Sequence, residues 1–327
     1  MSPFERAMRE RFGERVARNA PLAPLTTFKV GGPADFFLDV DDLDELRAVV
    51  RLTHGHGVPL NVVGGGSNLL IADRGINGMV VRLRHGDVRQ VAGDAIRADA
   101  GVTINGLVRW TITHGLAGVE AWAGTPGTVG GAIYGNAHFR GRNISEYVVG
   151  VQLMDRAGEL HDVPAPEMQF AYDYSRLHHT REIVVSADFR VAPGVPEQLR
   201  AVARESLAYR KRTQPLALPS AGCVFQNPDP SRESIPEGIP CSAGALVDRA
   251  GLKGLSAGGA RVSPTHANFI VNEGGATAAD IRSLIERCRQ DVWAQHGVRL
   301  RDEIVSLGFE NPGADAGASS PRESVED

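Results

Sequence analysis

The sequence predicts an α+β protein of three successive units followed by a short tail. A helix between short strands fills the first unit, short strands dominate the second, and a long amphipathic helix lies in the third. We place the units at residues 20–84, 85–195 and 196–309, and a disordered tail at 310–327. A chain of 327 residues is long enough to bury several cores.

In the first unit, residues 41–57 place Leu46, Val49 and Val50 at helical spacing, with acids in the first turn. "VPLNVV" then indicates a short apolar strand that runs into glycines, and "GMVVRL" indicates a second strand. This order predicts a small β-α-β-like unit.

The second unit opens with predicted strands at "VRQVAG" and "AIRADAG". A helix follows in "TINGLVRWTITHGL", with Thr103 as its N-cap and Gly115 near its end. Strands are predicted at 147–155 and 182–191. A helix at 196–215, with an Arg/Lys-rich end that suits a helix C-terminus, leads into the third unit.

The third unit contains the clearest helix, at residues 277–296. Thr277 and Asp280 resemble a capping box. One apolar face follows, at Ile281, Leu284, Ile285, Cys288 and Val292, so we expect Cys288 in the core. The tail "NPGADAGASSPRESVED" is small, polar and acidic, which is typical of disorder.

Charge and hydropathy exclude several classes of function. A net charge of −4 and a pI near 6.2 provide no basic surface, so nucleic acid is not an expected partner. No apolar run approaches the roughly 18 residues that a membrane span needs. The charged N-terminal segment has no secretory h-region. We predict a cytoplasmic protein without membrane insertion.

The cysteines and histidines do not predict a metal site. The three cysteines are far apart and lack CxxC spacing, which argues against a disulfide framework and a zinc site and fits a reducing cytosol. Two histidine pairs have no partners at metal spacing and are interpreted as surface residues: His54/His56 and His178/His179.

Glycine is abundant, with 38 residues, and it clusters. In "NVVGGGSNLL" a strand runs into glycines 64–66, and Leu69 stands where a third Rossmann glycine would be, which disfavours that site. Consecutive amides here can form an anion-binding nest, with Ser67 and Asn68 as further donors. The alternative is a tight structural turn.

A second glycine cluster, "WAGTPGTVGGAIYGNA", lies at residues 122–137. Pro126 fixes a turn, Gly127 frees the next backbone unit, and Gly130 and Gly131 remove side chains where a helix can begin. A diphosphate can lie along these amides; the alternative is close packing of a helix on a sheet. Two such clusters in adjacent units favour one extended dinucleotide.

Two side chains are candidates for chemistry. Cys223 in "LPSAGCVFQNP" is either a small hydrophobic residue of the core or a reactant. Glu303 in "VRLRDEIVSLGF" is predicted in a strand with apolar neighbours. It is either an outward-facing solvated residue or a deliberately buried acid.

Six motifs in order resemble one known family: "TTFKVGGPA", "VVGGGSNLLIAD", "GLAGVEAWAGTPGTVGGAIYGNA", "PSAGCVFQNP", "AGALVDRAGLKGLSAGGARVSPTHANFIVN" and "GVRLRDEIVSLG". Over about Leu25 to Gly308, the chain is similar to the UDP-N-acetylenolpyruvoylglucosamine reductase family. The short stretch between "YDYSRL" and "PSAGC" has no room for the substrate loop of the longer family branch, so the chain resembles the compact branch.

This resemblance implies a two-subdomain FAD-binding region of the vanillyl-alcohol-oxidase-like type and a C-terminal α/β substrate-binding domain. The three units would be these two subdomains and that domain. The resemblance also implies FAD as cofactor and NADPH as hydride donor. The reaction implied is reduction of UDP-N-acetylglucosamine-enolpyruvate to UDP-N-acetylmuramate in peptidoglycan precursor synthesis. A monomer is expected.

The resemblance also assigns roles to residues. Cys223 takes the place of the family's general acid, where serine is commoner, and Glu303 matches the glutamate that helps to stabilise the enolic intermediate. Tyr172, Asn227 and Lys253 are expected on the substrate side. The residues expected to bind FAD are Val30, Gly31, Gly64, Gly65, Gly66, Ser67, Asn68, Leu69, Thr125, Pro126, Gly127, Thr128, Gly130, Gly131 and Ala132.

The implied chemistry explains why such groups are needed. Hydride addition to the terminal vinyl carbon leaves carbanion character beside the substrate carboxylate. Positive charge and a carboxylic acid must stabilise that enolate, and a proton must reach the carbon that bears the ether. A thiol, with a reference pKa of about 8.5, donates a proton more readily than an alcohol. Cys223 is therefore the expected proton donor.

Two positions depart from the family pattern. In "YDYSRL", Asp173 stands where an arginine for the substrate carboxylate is expected. Arg176 is the nearest replacement and can bind a carboxylate bidentately; the alternative is a surface Arg176 with another cation in its place. Gln226 stands where a lysine often precedes Asn227, which removes one possible diphosphate contact.

Two other functions stay open at this stage. One is a related flavoprotein oxidase on the same fold, which the motifs of the third unit disfavour because they belong to the substrate half. The other is a non-catalytic binder of a nucleotide sugar or a flavin, which only the departure at Asp173 supports.

Overall fold

The computed structural model describes residues 1–84, 86–91 and 93–309, so the tail predicted to be disordered, 310–327, lies outside the described residues. The elements of the first unit are α1 (Pro3–Phe12), β1 (Ala17–Pro21), β2 (Pro33–Val40), α2 (Leu43–Gly55), β3 (Leu60–Val63), β4 (Leu69–Ile71) and β5 (Ile76–Leu83). Four of the strands form a sheet in the order β1-β2-β5-β3, with β1 antiparallel to β2 and the other neighbours parallel.

Helix α2 forms where the sequence predicts it. Asp42 caps it by accepting a hydrogen bond from the Glu45 amide, and its apolar stripe is buried in the core beside the sheet. Helix α1 was missed because its segment is dominated by charged residues. Ser2 caps it, and its apolar side chains recur every fourth residue, at Phe4, Met8 and Phe12. Burying each of these side chains contributes roughly 1.5–3 kcal/mol.

The second unit is built on a five-stranded antiparallel sheet in the order β12-β11-β13-β7-β6. Thr103 caps α3 by accepting from the Gly106 amide at 3.0 Å, which confirms the predicted helix start. The elements are β6 (Val88–Gln90), β7 (Ala95–Asp99), α3 (Ile104–Thr113), β8 (Leu116–Ala117), α4 (Val129–Tyr134), β9 (His138–Phe139), β10 (Arg142–Asn143), β11 (Val148–Met154), β12 (Leu160–Pro164), α5 (Leu177–Thr180), β13 (Ile183–Arg190) and β14 (Ala192–Pro193).

The third unit packs helices on a small antiparallel sheet in the order β15-β16-β17. The capping box of Thr277 and Asp280 is present, and Cys288 is 1% exposed, so both predictions are confirmed. Helix α6 (Pro196–Thr213) comes first in the chain but packs on the second unit, where its Leu199 and Ala203 lie in the core. The other elements are α7 (Ala243–Arg249), β15 (Ser256–Ala257), β16 (Ala260–Val262), β17 (Ile270–Asn272), α8 (Ala278–His296) and β18 (Val305–Leu307).

The last strand returns to the first unit. β18 pairs in parallel with β4, so Val305 lies opposite Leu69. Val30 and Leu70 of the first unit also lie in the core of the third. The predicted boundaries at 84 and 195 stay predictions. Short 3₁₀ turns complete the described structure, at Gly13–Arg15, Ala23–Leu25, Glu120–Trp122, Ile144–Glu146 and Ala165–Met168.

Across the described ranges, the structure has no helix that combines the length and the apolar composition of a bilayer span.

Candidate active site

The two glycine clusters lie against each other. A Cβ atom built on Gly65 would lie 2.7 Å from the Gly127 Cα, and one built on Gly127 would lie 2.7 Å from the Ser67 Oγ. Gly127 also has a φ of +101°, which side-chain-bearing residues rarely adopt. A side chain at Gly65 or Gly127 would therefore force apart two loops that come from different units.

The first of these loops presents free donors. The amides of Gly65, Gly66 and Ser67 donate no hydrogen bond to another residue in the described part of the chain. Adjacent unpaired N–H groups of this kind fit an anion such as a diphosphate. The loop therefore has the features of a nest as well as those of a tight turn.

In the second cluster the structure shows the close packing of a helix on a sheet, and the amides of residues 129–131 all have protein partners. Gly130 packs on the sheet: its amide donates to the Ala100 carbonyl at 2.9 Å, and a Cβ atom here would lie 3.0 Å from the Ala100 Cβ. Gly131 has more room, since its nearest neighbour would be 3.8 Å away, the Thr128 Oγ1 that caps α4. Ala132 is buried in the core of the second unit.

Other residues predicted to bind FAD have protein partners. Val30 is buried in the core, and a Cβ atom on Gly31 would lie 2.8 Å from the Ile71 Cβ. Asn68 Nδ2 donates to the Glu303 carbonyl at 3.0 Å. Thr125 Oγ1 accepts from Arg210 at 2.6 Å. Their roles toward the cofactor stay predictions.

Backbone pairing brings Cys223 and Glu303 together. The Glu303 amide donates to the Val224 carbonyl at 2.8 Å, and residues 225 and 302 form an isolated antiparallel bridge. Gly222, with a φ of +81°, turns the chain immediately before Cys223. Glu303 therefore precedes β18 rather than lying within a strand. The prediction was wrong because the chain changes partner, from residues 224–226 to β4, between Glu303 and Val305.

The backbone of Glu303 is fixed by hydrogen bonds, and its carboxyl group has a raised pKa. Asn68 fixes its carbonyl and Val224 fixes its amide, which orients the side chain. Burial, and then the charge of Asp173, raise its pKa to about 8. Of the two interpretations left open for Glu303, the structure favours the shielded acid, because the side chain is only partly exposed and its pKa is raised. A carboxyl group with this pKa is largely protonated at neutral pH and can donate a hydrogen bond.

Cys223 is half-buried beside these acids. Burial raises the pKa of its thiol, and the charges of Glu303 and Asp173 raise it further. The thiol therefore keeps its proton at neutral pH, which is the form that a proton donor requires. Asn268, which the sequence analysis missed, hydrogen-bonds the thiol and also pairs with both the amide and the carbonyl of Phe225, at 2.9 and 2.8 Å.

A second group of side chains meets Glu303 from the second unit. His138 Nδ1 lies 3.0 Å from Asp173 Oδ1. A ring nitrogen of His138 and one carboxylate oxygen each from Asp173 and Glu303 lie within 4.8 Å of one another. The bond to Asp173 raises the pKa of His138. Asp173 has a φ of +51°, a conformation that Asp tolerates better than most residues. His138 was not singled out from the sequence.

Arg176 is engaged elsewhere. Its guanidinium donates two hydrogen bonds to Glu182, at 3.0 and 2.9 Å, and Glu182 also binds His161 at 2.6 Å. The proposed role of Arg176 toward the substrate carboxylate stays a prediction, and this geometry does not favour it.

Arg210 is a buried cation near Cys223 that the sequence analysis missed. It is 6% exposed, and it lies 3.7 Å above the Phe139 ring centroid while donating to Thr125. Burial lowers its pKa to about 10, so it remains positively charged at neutral pH. The Arg/Lys-rich end of α6 was interpreted only as a helix terminus.

The three residues predicted on the substrate side have different surroundings. Tyr172 is exposed; its ring lies 5.0 Å from that of His138, and its hydroxyl accepts from the Asn227 amide at 3.3 Å. Asn227 Oδ1 accepts from the amide that begins α7. Lys253 forms an ion pair with Asp248 at 2.7 Å. Of the three, Tyr172 contacts the acid cluster through the ring of His138.

One histidine was misread. His54, His56 and His179 are exposed, as predicted. His178 is only partly exposed: its Nε2 is buried without a hydrogen-bond partner among the described residues, and its ring stacks on Tyr134 with centroids 4.3 Å apart. The signal that sequence reasoning overlooked is the neighbouring apolar Leu177, which is also buried.

Comparisons with known proteins address the whole chain. Residues 214–307 match the family model described as UDP-N-acetylenolpyruvoylglucosamine reductase, C-terminal domain, and residues 34–164 match the FAD binding domain. A UDP-N-acetylenolpyruvoylglucosamine reductase of Heliobacterium modesticaldum is 40% identical over 91% of this chain and 93% of its own length. One from Carboxydothermus hydrogenoformans is 39% identical over 91% and 96%.

Among solved structures, UDP-N-acetylenolpyruvylglucosamine reductase from Thermus caldophilus superposes with a TM-score of 0.73. It is 32% identical, and the match covers 90% of this chain and 99% of that chain. The predicted α+β fold, with its two-subdomain FAD-binding region and its C-terminal domain, is confirmed.

Proposed function

The chain belongs to the UDP-N-acetylenolpyruvoylglucosamine reductase family, and we propose that it uses FAD and NADPH to reduce UDP-N-acetylglucosamine-enolpyruvate to UDP-N-acetylmuramate. The observation that carries the proposal is the pairing of residues 224–226 with 301–303. It places the Cys223 thiol and the Glu303 carboxyl together, beside the loop of glycines 64–66.

The glycine loops fit the cofactor. The unpaired amides of Gly65, Gly66 and Ser67 would bind its diphosphate, and the contact between Gly65 and Gly127 leaves no side chain in the way. Bound FAD supplies hydride-transfer chemistry between the nicotinamide and the vinyl carbon. The protein's part is to place the substrate and to handle charge and protons.

Cys223 and Glu303 divide that work. The protonated thiol of Cys223 donates its proton to the carbon that bears the ether oxygen and is reprotonated from solvent. The raised pKa of Glu303 keeps its carboxyl protonated at neutral pH, so that it can donate a hydrogen bond to the substrate carboxylate as enolate character develops. Tyr172, whose ring lies 5.0 Å from that of His138, would line the substrate side of this cluster.

The test is the visible absorption spectrum of the purified protein, recorded anaerobically. A flavin spectrum that bleaches with NADPH and returns with the enolpyruvyl nucleotide sugar supports the reductase. A flavin that bleaches but does not return indicates another flavoprotein oxidoreductase. A protein that binds no FAD even after reconstitution indicates a binding protein.

The proposal includes a cytoplasmic, monomeric enzyme of peptidoglycan precursor synthesis. Light scattering of the FAD-loaded protein measures its oligomeric state, and a dimer mass would contradict the monomer. Cell fractionation followed by immunoblotting measures its location.

A further inference from the structure

The proposed reaction needs a cation at the substrate carboxylate, and the obvious arginines do not supply it. Asp173 occupies the position where the family resemblance predicts an arginine. Arg176 is bound by Glu182. Arg210 is held by Thr125 and by the Phe139 ring, and it lies near the thiol of Cys223. Each of the two arginines keeps a buried Nε without a partner among the described residues, but the guanidinium of each is held by these contacts, and neither is among the side chains grouped with Glu303.

His138 has the geometry that this role requires. Its side chain is 26% exposed, so the ring is partly shielded yet reachable from solvent. Nδ1 is held by Asp173 at 3.0 Å, while Nε2 forms no hydrogen bond with any residue in the described ranges. A ring nitrogen of His138 lies within 4.8 Å of a carboxylate oxygen of Glu303. An imidazolium here presents one unused N–H donor beside the acid.

The backbone keeps His138 in this place. It lies in the two-residue strand β9, where it pairs with Asn143 of β10. Asn136, just before β9, is buried; its side chain donates to the Ala171 carbonyl at 2.7 Å and accepts from the Ser145 amide at 3.2 Å. The first of these bonds ties the β9 segment to the segment that carries Asp173. These backbone contacts therefore fix the segments that carry His138 and Asp173 relative to each other.

We propose that His138, as an imidazolium oriented by Asp173, is the cation that binds the substrate carboxylate through Nε2–H and stabilises the enolate. Asp173 is a positioning residue in this arrangement. The proposal rests on the proposed function and assigns a residue within it. The loss of a positive charge at position 173 is thereby compensated by a residue from another segment.

The surrounding charges are consistent with this role. The groups that face His138 are Asp173, Glu303 and the phenol of Tyr172, with Cys223 and Arg210 beyond them. The bond to Asp173 raises the pKa of His138, and the charge of Glu303 adds to that. Because Glu303 titrates near pH 8, it is mostly neutral at pH 7 and leaves the imidazolium charge available to the substrate.

The experiment measures the two half-reactions separately by anaerobic stopped flow on FAD-loaded protein. In His138→Gln, flavin reduction by NADPH should stay at the wild-type rate, while reoxidation by the enolpyruvyl nucleotide sugar should slow by about 10²-fold. His54→Gln, at an exposed histidine of the first unit, is the matched control and should change neither rate. Retained flavin in each variant reports folding.

The pH profile separates a charge from a structural role. Wild-type reoxidation should fall as pH rises through the His138 pKa, which lies above the ordinary value of about 6.5. His138→Gln should lose that limb and keep only the separate fall near pH 8 that deprotonation of Glu303 causes. His138→Lys should retain reoxidation up to that second fall, because an ammonium stays charged.

Several results would overturn the assignment. A normal reoxidation rate in His138→Gln would do so while leaving the reductase intact. So would reoxidation that is abolished by EDTA and restored by Mg²⁺ or Mn²⁺, because the charge would then be a metal ion. A wild-type flavin that NADPH bleaches but the sugar cannot reoxidise contradicts the proposed function itself, and the role of His138 with it.

Discussion

The glycine loops and the acid cluster are the two halves of the site, and they are built in opposite ways. The loops at 64–67 and 125–128 use backbone amides and the absence of side chains. The cluster of Cys223, Glu303, His138 and Asp173 uses side chains, which meet from the second and third units. The first half depends on shape, and the second depends on charge and protons.

This difference predicts different modes of failure. A substitution in the loops should weaken FAD binding and leave the pKa values of the acid cluster unchanged. A substitution in the cluster should leave FAD bound and reducible by NADPH, but slow its reoxidation by the substrate. The following changes test that separation.

The largest effect is expected from Cys223→Ala. Loss of the proton donor should slow reoxidation by the enolpyruvyl sugar by roughly 10²- to 10⁴-fold, with flavin reduction by NADPH unchanged. Cys223→Ser should retain part of the rate because a hydroxyl can also donate. Stopped-flow absorbance measures both steps, and Cys241→Ala, at an exposed thiol, is the control. Full turnover in Cys223→Ala would show that another group supplies the proton.

The loops should be broken by Gly65→Ala. Its Cβ would lie 2.7 Å from the Gly127 Cα, so the loops must separate, and overpacking of this kind costs about 1–3 kcal/mol. We expect a weaker affinity for FAD by that amount, measured by fluorescence titration of the apoprotein. Gly55→Ala is the control, because a Cβ there meets nothing within 4 Å. Wild-type FAD affinity in Gly65→Ala would contradict the role of the two glycine loops in FAD binding.

Asn268→Ala should weaken the framework of the cluster. The substitution removes the side-chain groups that bond to the buried amide and carbonyl of Phe225. Each backbone group left unpaired costs about 1–3 kcal/mol of stability. Urea unfolding should show a lower free energy of unfolding, and reoxidation should slow because Cys223 is less well placed. Gln290→Ala, on the exposed side of α8, serves as the control. Equal stability of the Asn268 variant and wild type would contradict this role.

The smallest effect concerns Glu303 and pH. Its folded pKa, about 8, lies above the ordinary value of about 4.3, so between these values the folded state binds more protons than the unfolded state. Its contribution to stability is therefore present at low pH and is lost as pH rises toward 8. Glu303→Gln should raise the Tm relative to wild type more at about pH 9 than at about pH 5. A pH-independent difference would mean that Glu303 is solvated.

Local signals predicted much of the fold. Helices α3 and α8 begin at the predicted caps because Thr103 and Thr277 need only their own next residues to satisfy free amides. The glycine loops were recognisable for the same reason: runs of glycine are visible without a partner. Helix α1 was missed because the charged composition of its segment obscured a regular apolar spacing.

The sequence by itself determined helices α2, α3, α6 and α8, the glycine loops, and the identity of Cys223 and Glu303 as candidates through the motifs. Only the tertiary structure decided that Glu303 is partly shielded with a raised pKa, that Arg176 is bound by Glu182, and that His138 meets Asp173, 35 residues away. The physical reason is that protonation states and charge pairs depend on distances between segments, and no local pattern encodes those distances.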